Sequence, residues 1–193
     1  KEDNYVVVTK KRDDLLSLDR DEWIVGRQPQ NSREVEVAER NSTTVVEIAE
    51  TMAWLHTNGV THPDGQIKNW AVTSFGRIGV IDTENLRSGI TDVEELVGRA
   101  WDDIEKLSKS LIVNQRALES VADPDIDSVK IFGVGMLAKM GLPHVRSSLE
   151  QLIVRPYVEA LESFMNFEGI TEEYSDRITA LVFGVIARFY DNE

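Results

Sequence analysis

The chain contains no cysteine, which excludes disulfides and thiolate metal sites. Its three histidines, His56, His62 and His144, lack the spacing of a zinc site. Positive charge is in deficit. The formal net charge of −13 argues against a nucleic-acid backbone as partner and against adsorption to an anionic membrane. No apolar run approaches the roughly 20 residues that span a bilayer. The opening Lys1-Glu2-Asp3-Asn4 carries no signal-peptide pattern, and the absence of cysteine makes a cytoplasmic location the expectation. The chain also lacks an initiating Met, from which upstream sequence is expected. Glycine is scarce early: only Gly26 and Gly59 precede residue 60.

What is present suits a soluble domain. At 193 residues, with 41% apolar and 28% charged residues, the chain can form one good core or one lobe of a larger enzyme. Tyr5-Val6-Val7-Val8-Thr9 reads as a buried strand, and Lys10 to Asp14 as a polar connection. The segment from Leu15 to Val25 fits a short helix or an irregular packed stretch. From about Ser32 to Asn58, Val45, Ile48, Ala49, Met52 and Leu55 form an apolar stripe at helical spacing. Thr44 with Glu47 offers a capping box, and Gly59 stands where a helix C-terminal glycine belongs. Trp70-Ala71-Val72 and Ile78 to Ile81 read as a hairpin around the turn 73–77. Thr91 and Glu94 suggest a cap for a helix running to about Leu111. Further helices are expected near 127–140, 147–167 and 172–190.

One stretch carries chemistry. His62-Pro63-Asp64-Gly65-Gln66-Ile67-Lys68-Asn69 is followed by Ile81-Asp82-Thr83-Glu84, so Asn69 lies five positions after Asp64 and Asp82 thirteen after Asn69. A carboxylate to meet a hydroxyl, with an amide oxygen and a second carboxylate to hold magnesium, is the set that phosphoryl transfer needs.

The run from Met52 to Asp64, ending Leu55-His56-Thr57-Asn58-Gly59-Val60-Thr61-His62-Pro63-Asp64, resembles the helix and catalytic loop of the protein-kinase-like superfamily. The Asp82-Thr83-Glu84 triplet is closest to the aminoglycoside and choline phosphotransferase-like branch. The resemblance covers about Tyr5 to Leu111. It implies an α+β, mainly α fold, a kinase-like C-terminal lobe with a small β-hairpin. The N-lobe is largely absent: there is neither a glycine-rich phosphate loop nor a Val-Ala-x-Lys strand, and Pro63 stands where the family has Arg or Gly. Residues 1–14 would be the last N-lobe strand and a hinge remnant, and 15–193 the helical lobe. By the same resemblance Asp64 is the catalytic carboxylate, and Lys68 helps neutralise the transferring phosphate. Asn69 and Asp82 bind magnesium, and Val8, Thr9, Ala71 and Ile81 meet the adenine of ATP. His62 orients the loop. Asp102 or Asp103 corresponds to a buried helical Asp that ties the loop backbone down.

The implied activity is ATP-dependent transfer of a γ-phosphate to a hydroxyl of a small molecule or protein. The acidic balance slightly favours cationic acceptors. The alternative is an inactive pseudokinase serving as a scaffold for a protein partner. A missing N-lobe or a partner chain would complete the nucleotide site. A third possibility is an unrelated helical domain with a fortuitous motif. Other features have plainer explanations. Gly133 to Lys139 suits close helix packing better than a phosphate loop, because no strand precedes it. Ser42-Thr43-Thr44 reads as helix capping, and His56 as a structural helix-end residue.

Overall fold

The computed structural model describes residues 16–17, 31–72, 77–81, 83–119, 147 and 149–190. The expected strand at Tyr5–Thr9 (with Val8 and Thr9), Asp82, the helix near 127–140, the Gly133–Lys139 stretch and His144 lie outside them. The described chain is mainly helical, with a small antiparallel sheet.

Helix α1 runs Ser32–Thr57, close to the span expected from its apolar stripe. Val45, Ile48, Ala49 and Met52 are fully buried, and Leu55 nearly so, which is the outcome of placing apolar residues at three- and four-residue steps. The helix ends as Gly59 permits. Its φ of +67° is left-handed, and the Val60 N–H reaches the Leu55 carbonyl while the Gly59 N–H reaches that of His56. This is the paired closure of a Schellman motif. A methyl group on Gly59 would also meet the Ile90 carbonyl at 2.7 Å.

The expected caps differ from the observed ones. Thr43 and Thr44 sit inside α1 and donate to the Glu39 and Arg40 carbonyls one turn back. Hydroxyls within a helix take that local partner when the apolar stripe carries the helix past them. Helix α2 spans Val93–Glu119 and is capped by Asp92, whose Oδ1 accepts the Glu95 N–H at 2.7 Å. Asp92 is one residue nearer the first helical turn than Thr91, so its carboxylate reaches the third N–H.

Strands β1 (Leu16–Ser17), β2 (Trp70–Val72) and β3 (Ile78–Val80) form an antiparallel sheet in the order β1-β2-β3. The β2–β3 hairpin matches the expectation. Leu16–Ser17 does not: it is extended, paired with Val72 and Ala71. An open edge of β2 offers backbone partners that a local helical pattern does not reveal.

A π-helical turn, Glu150–Val154, leads into α3, Arg155–Phe164. The wide turn precedes Pro156, which has no N–H to give the carbonyl four residues back and sits in the first turn of α3, where none is required. Helix α4, Glu172–Tyr190, has the span expected from its periodicity, and Thr171 caps it. The α1 helix packs on α3, and α2 packs on α4. Leu96, Ile104, Leu107, Ile153, Tyr157, Leu161, Leu181 and Val185 share their core. None of the helices among the described residues is long and apolar enough to cross a membrane.

Candidate active site

The loop 60–69 leaves α1 at Gly59 and ends in β2, and a second segment brackets it. Thr61 and Arg87 exchange backbone hydrogen bonds of 2.8 and 2.9 Å, and the Ile90 N–H reaches the Gly59 carbonyl. At the other end the Ile81 N–H donates to the Asn69 carbonyl at 2.9 Å. The residue immediately before Asp82 is therefore bonded to Asn69.

One face of α2 grips the loop. Asp103 Oδ2 accepts the His62 backbone N–H at 2.6 Å. Lys106 Nζ donates to the Pro63 carbonyl, and Ser110 Oγ accepts the Ile67 N–H at 3.0 Å. Positions 103, 106 and 110 fall on one side of a helix. The choice between Asp102 and Asp103 is thereby settled. Asp103 is 1% exposed, whereas Asp102 is exposed. Gly65 lies where a Cβ would stand 3.3 Å from both the Asp103 and His62 carbonyls, so the loop backbone runs close along the helix.

The loop is also bonded to itself. Asn69 Nδ2 donates to the Asp64 carbonyl at 2.6 Å, and Trp70 Nε1 to the Gly65 carbonyl at 3.3 Å. Because a carbonyl only accepts, the amide nitrogen of Asn69 must face Asp64, which leaves Oδ1 as the other branch of the amide. Asn69 is buried and Asp64 half-buried. Lys68 is exposed on the short 3-10 turn Ile67–Asn69. Ala71 is fully buried in the central strand, paired with Ser17 and Gly79, whereas Ile81 is exposed just past β3. Asp64, Lys68 and Asn69 thus share one loop, with Ile81 bonded to its end; Val8, Thr9 and Asp82 are outside the described residues.

Behind the loop lies a buried polar line. His56 Nε2 is 3.2 Å from Asp103 Oδ2, and His56 Nδ1 is 2.8 Å from the Tyr157 hydroxyl. Burial pushes the ionisation of Tyr157 well above its ordinary value, and the negative charge of Asp103 pushes it further the same way. The Arg177 guanidinium donates to the Thr57 carbonyl at 3.1 Å, setting a cation at the negative end of α1. Sequence reasoning missed Lys106, Ser110 and Tyr157. The spacing of Asp103, Lys106 and Ser110 was a usable signal for the first two. Tyr157 has none, being distant in sequence and outside any motif.

No protein-family model, curated protein or solved structure matches the chain.

Proposed function

We propose that this protein is a kinase-like, ATP-dependent phosphotransferase that acts on a hydroxyl group, built on a C-terminal-lobe fold. One observation carries the proposal: buried Asp103 holds the backbone of His62, two residues before Asp64, while Asn69 is bonded to the Asp64 carbonyl. Phosphoryl transfer asks a protein mainly for position and charge compensation. A carboxylate used for hydroxyl orientation must therefore sit on a backbone that does not drift. Here the backbone on either side of Asp64 is tied down, while its side chain is not fully enclosed.

In this reading Asp64 orients the acceptor hydroxyl and takes its proton. Lys68, exposed on the same loop, would offset phosphate charge. The donor chemistry of Asn69 suits magnesium. With Nδ2 committed to the Asp64 carbonyl, Asn69 has a hard amide oxygen to offer, and a carboxylate is the second hard ligand that such an ion prefers. Asn69 and Asp82 would hold it, and when bound it supplies compensation of phosphate charge. Val8, Thr9 and Ile81 are the proposed adenine contacts, with Ala71, fully buried in β2, as the apolar support beneath them.

The test is a thermal titration of the full-length protein with Mg-ATP, followed by phosphoryl-transfer assays on amino-alcohol and aminoglycoside acceptors. A ligand present at a hundred times its Kd stabilises the folded state by about 2.7 kcal/mol, a readily measured shift. The shift is expected in the wild type and lost in Asn69→Ala and Asp82→Ala. Asp64→Ala should keep the shift and lose about a thousandfold in kcat, in the range for removal of a general base. If Mg-ATP shifts neither the wild type nor the variants, the phosphotransferase reading fails and a scaffold role replaces it.

A further inference from the structure

Four groups from separate parts of the chain meet in one buried line: the Tyr157 hydroxyl on α3, the His56 ring at the end of α1, the Asp103 carboxylate on α2 and the His62 backbone amide of the loop. Each of the four residues is 1% exposed or less. The same atom, Asp103 Oδ2, receives both His56 Nε2 and the His62 N–H. A carboxylate has no hydrogen to give, so the proton on that edge of the imidazole belongs on Nε2. In the neutral ring Nδ1 is then a bare acceptor, and the Tyr157 hydroxyl is the donor that meets it. With both nitrogens held, the ring cannot turn about its Cβ–Cγ bond without losing two buried hydrogen bonds.

We propose that Tyr157 is a positioning residue for the candidate active-site loop. Through His56 it holds the Asp103 oxygen on which the His62 amide is fixed, and with that amide the backbone leading to Asp64. It touches no reacting atom. Its hydroxyl is the point at which α3, nearly a hundred residues further along the chain, enters the placement of the loop. The catalytic consequence rests on the phosphotransferase reading; the positioning does not.

Two measurements on the full chain test the positioning. Long-range proton–nitrogen NMR of the wild type should show His56 protonated at Nε2, and this needs no variant. In Tyr157→Phe, hydrogen exchange at the His62 amide should accelerate about tenfold, the loss of one buried hydrogen bond. The Leu181 amide, in the apolar core of α4, should change much less. A wild-type His56 protonated at Nδ1 alone overturns the proposal. So does an unchanged His62 exchange rate, or equal acceleration at both amides, which would mark Tyr157 as general packing. In a transfer assay Tyr157→Phe should lower kcat about tenfold with KM for ATP unchanged; a raised KM with kcat intact would overturn the catalytic part. If the wild type transfers no phosphoryl group, the phosphotransferase reading fails while the tautomer and exchange results still decide the positioning.

Discussion

Helix α2 is held on two sides by different physics. Towards α4 it is packed closely: Gly184 comes so near that a Cβ there would stand 2.2 Å from Val97 Cγ1, and a single directed bond, from the Arg188 guanidinium to the Val97 carbonyl at 2.9 Å, crosses the same contact. Towards the loop it presents Asp103, Lys106 and Ser110, each bonded to a named backbone atom. Apart from that one bond, the first side is governed by area and volume, which are non-directional and admit several packings. The second is governed by hydrogen bonds, which fix atoms to within tenths of an ångström and leave costly orphans when broken. The side that secures the fold and the side that places Asp64 are thus opposite uses of one helix.

The contrast is sharpest at Asp103. Asp103→Ala leaves the His62 N–H and His56 Nε2 without their acceptor in a buried setting and should destabilise by about 4 kcal/mol. Urea denaturation reads the total, and hydrogen exchange should locate the largest loss of protection in the loop 60–69. Leu181→Ala, on the apolar side, should cost about 3 kcal/mol through lost burial and the cavity left behind. Its effect should spread over α2 and α4 and leave the relative protection of the loop unchanged. Identical exchange maps for these two variants would mean that the two sides of α2 are held alike.

Gly184→Ala probes the close approach alone. The added methyl meets the stiff side chain of Val97, so a loss of about 1–2 kcal/mol is expected. In a Val97→Ala background the clash is gone. The same change should then stabilise by up to about 1 kcal/mol through helix propensity, a reversal of sign that a double-mutant cycle detects. The smallest effect concerns alkaline pH. Tyr157 ionises above its ordinary value of about 10 when folded, so the unfolded chain loses this proton first. The contribution of Tyr157 is therefore intact below about pH 10 and declines as pH rises beyond it. Urea midpoints between about pH 9 and 11 should fall more steeply in the wild type than in Tyr157→Phe.

Much of the helical framework was legible because it follows from spacing within one segment. The stripe Val45, Ile48, Ala49, Met52 and Leu55 announced α1, and Gly59 its end. Asp64, Asn69 and the paired acids at 102 and 103 stood out through their order along the chain. The caps were less legible: Ser, Thr and Asp all satisfy an N-terminal turn, and which one does so depends on where tertiary packing lets the helix begin. The extended Leu16–Ser17 pair was hidden for a related reason, since a strand of two residues is defined by its neighbour and not by its own pattern.

Sequence alone determined the mainly helical class, the spans of α1 and α4, the hairpin, and the order of Asp64, Asn69 and Asp82 along the chain. Periodicity and turn chemistry act over a few residues and can be read in place. Only the tertiary structure chose Asp103 over Asp102, brought Lys106 and Ser110 onto the loop, and set Tyr157 against His56. Those choices depend on which side of a helix faces which neighbour, and on burial that makes each hydrogen bond obligatory. Both are properties of the assembled core and of no single segment.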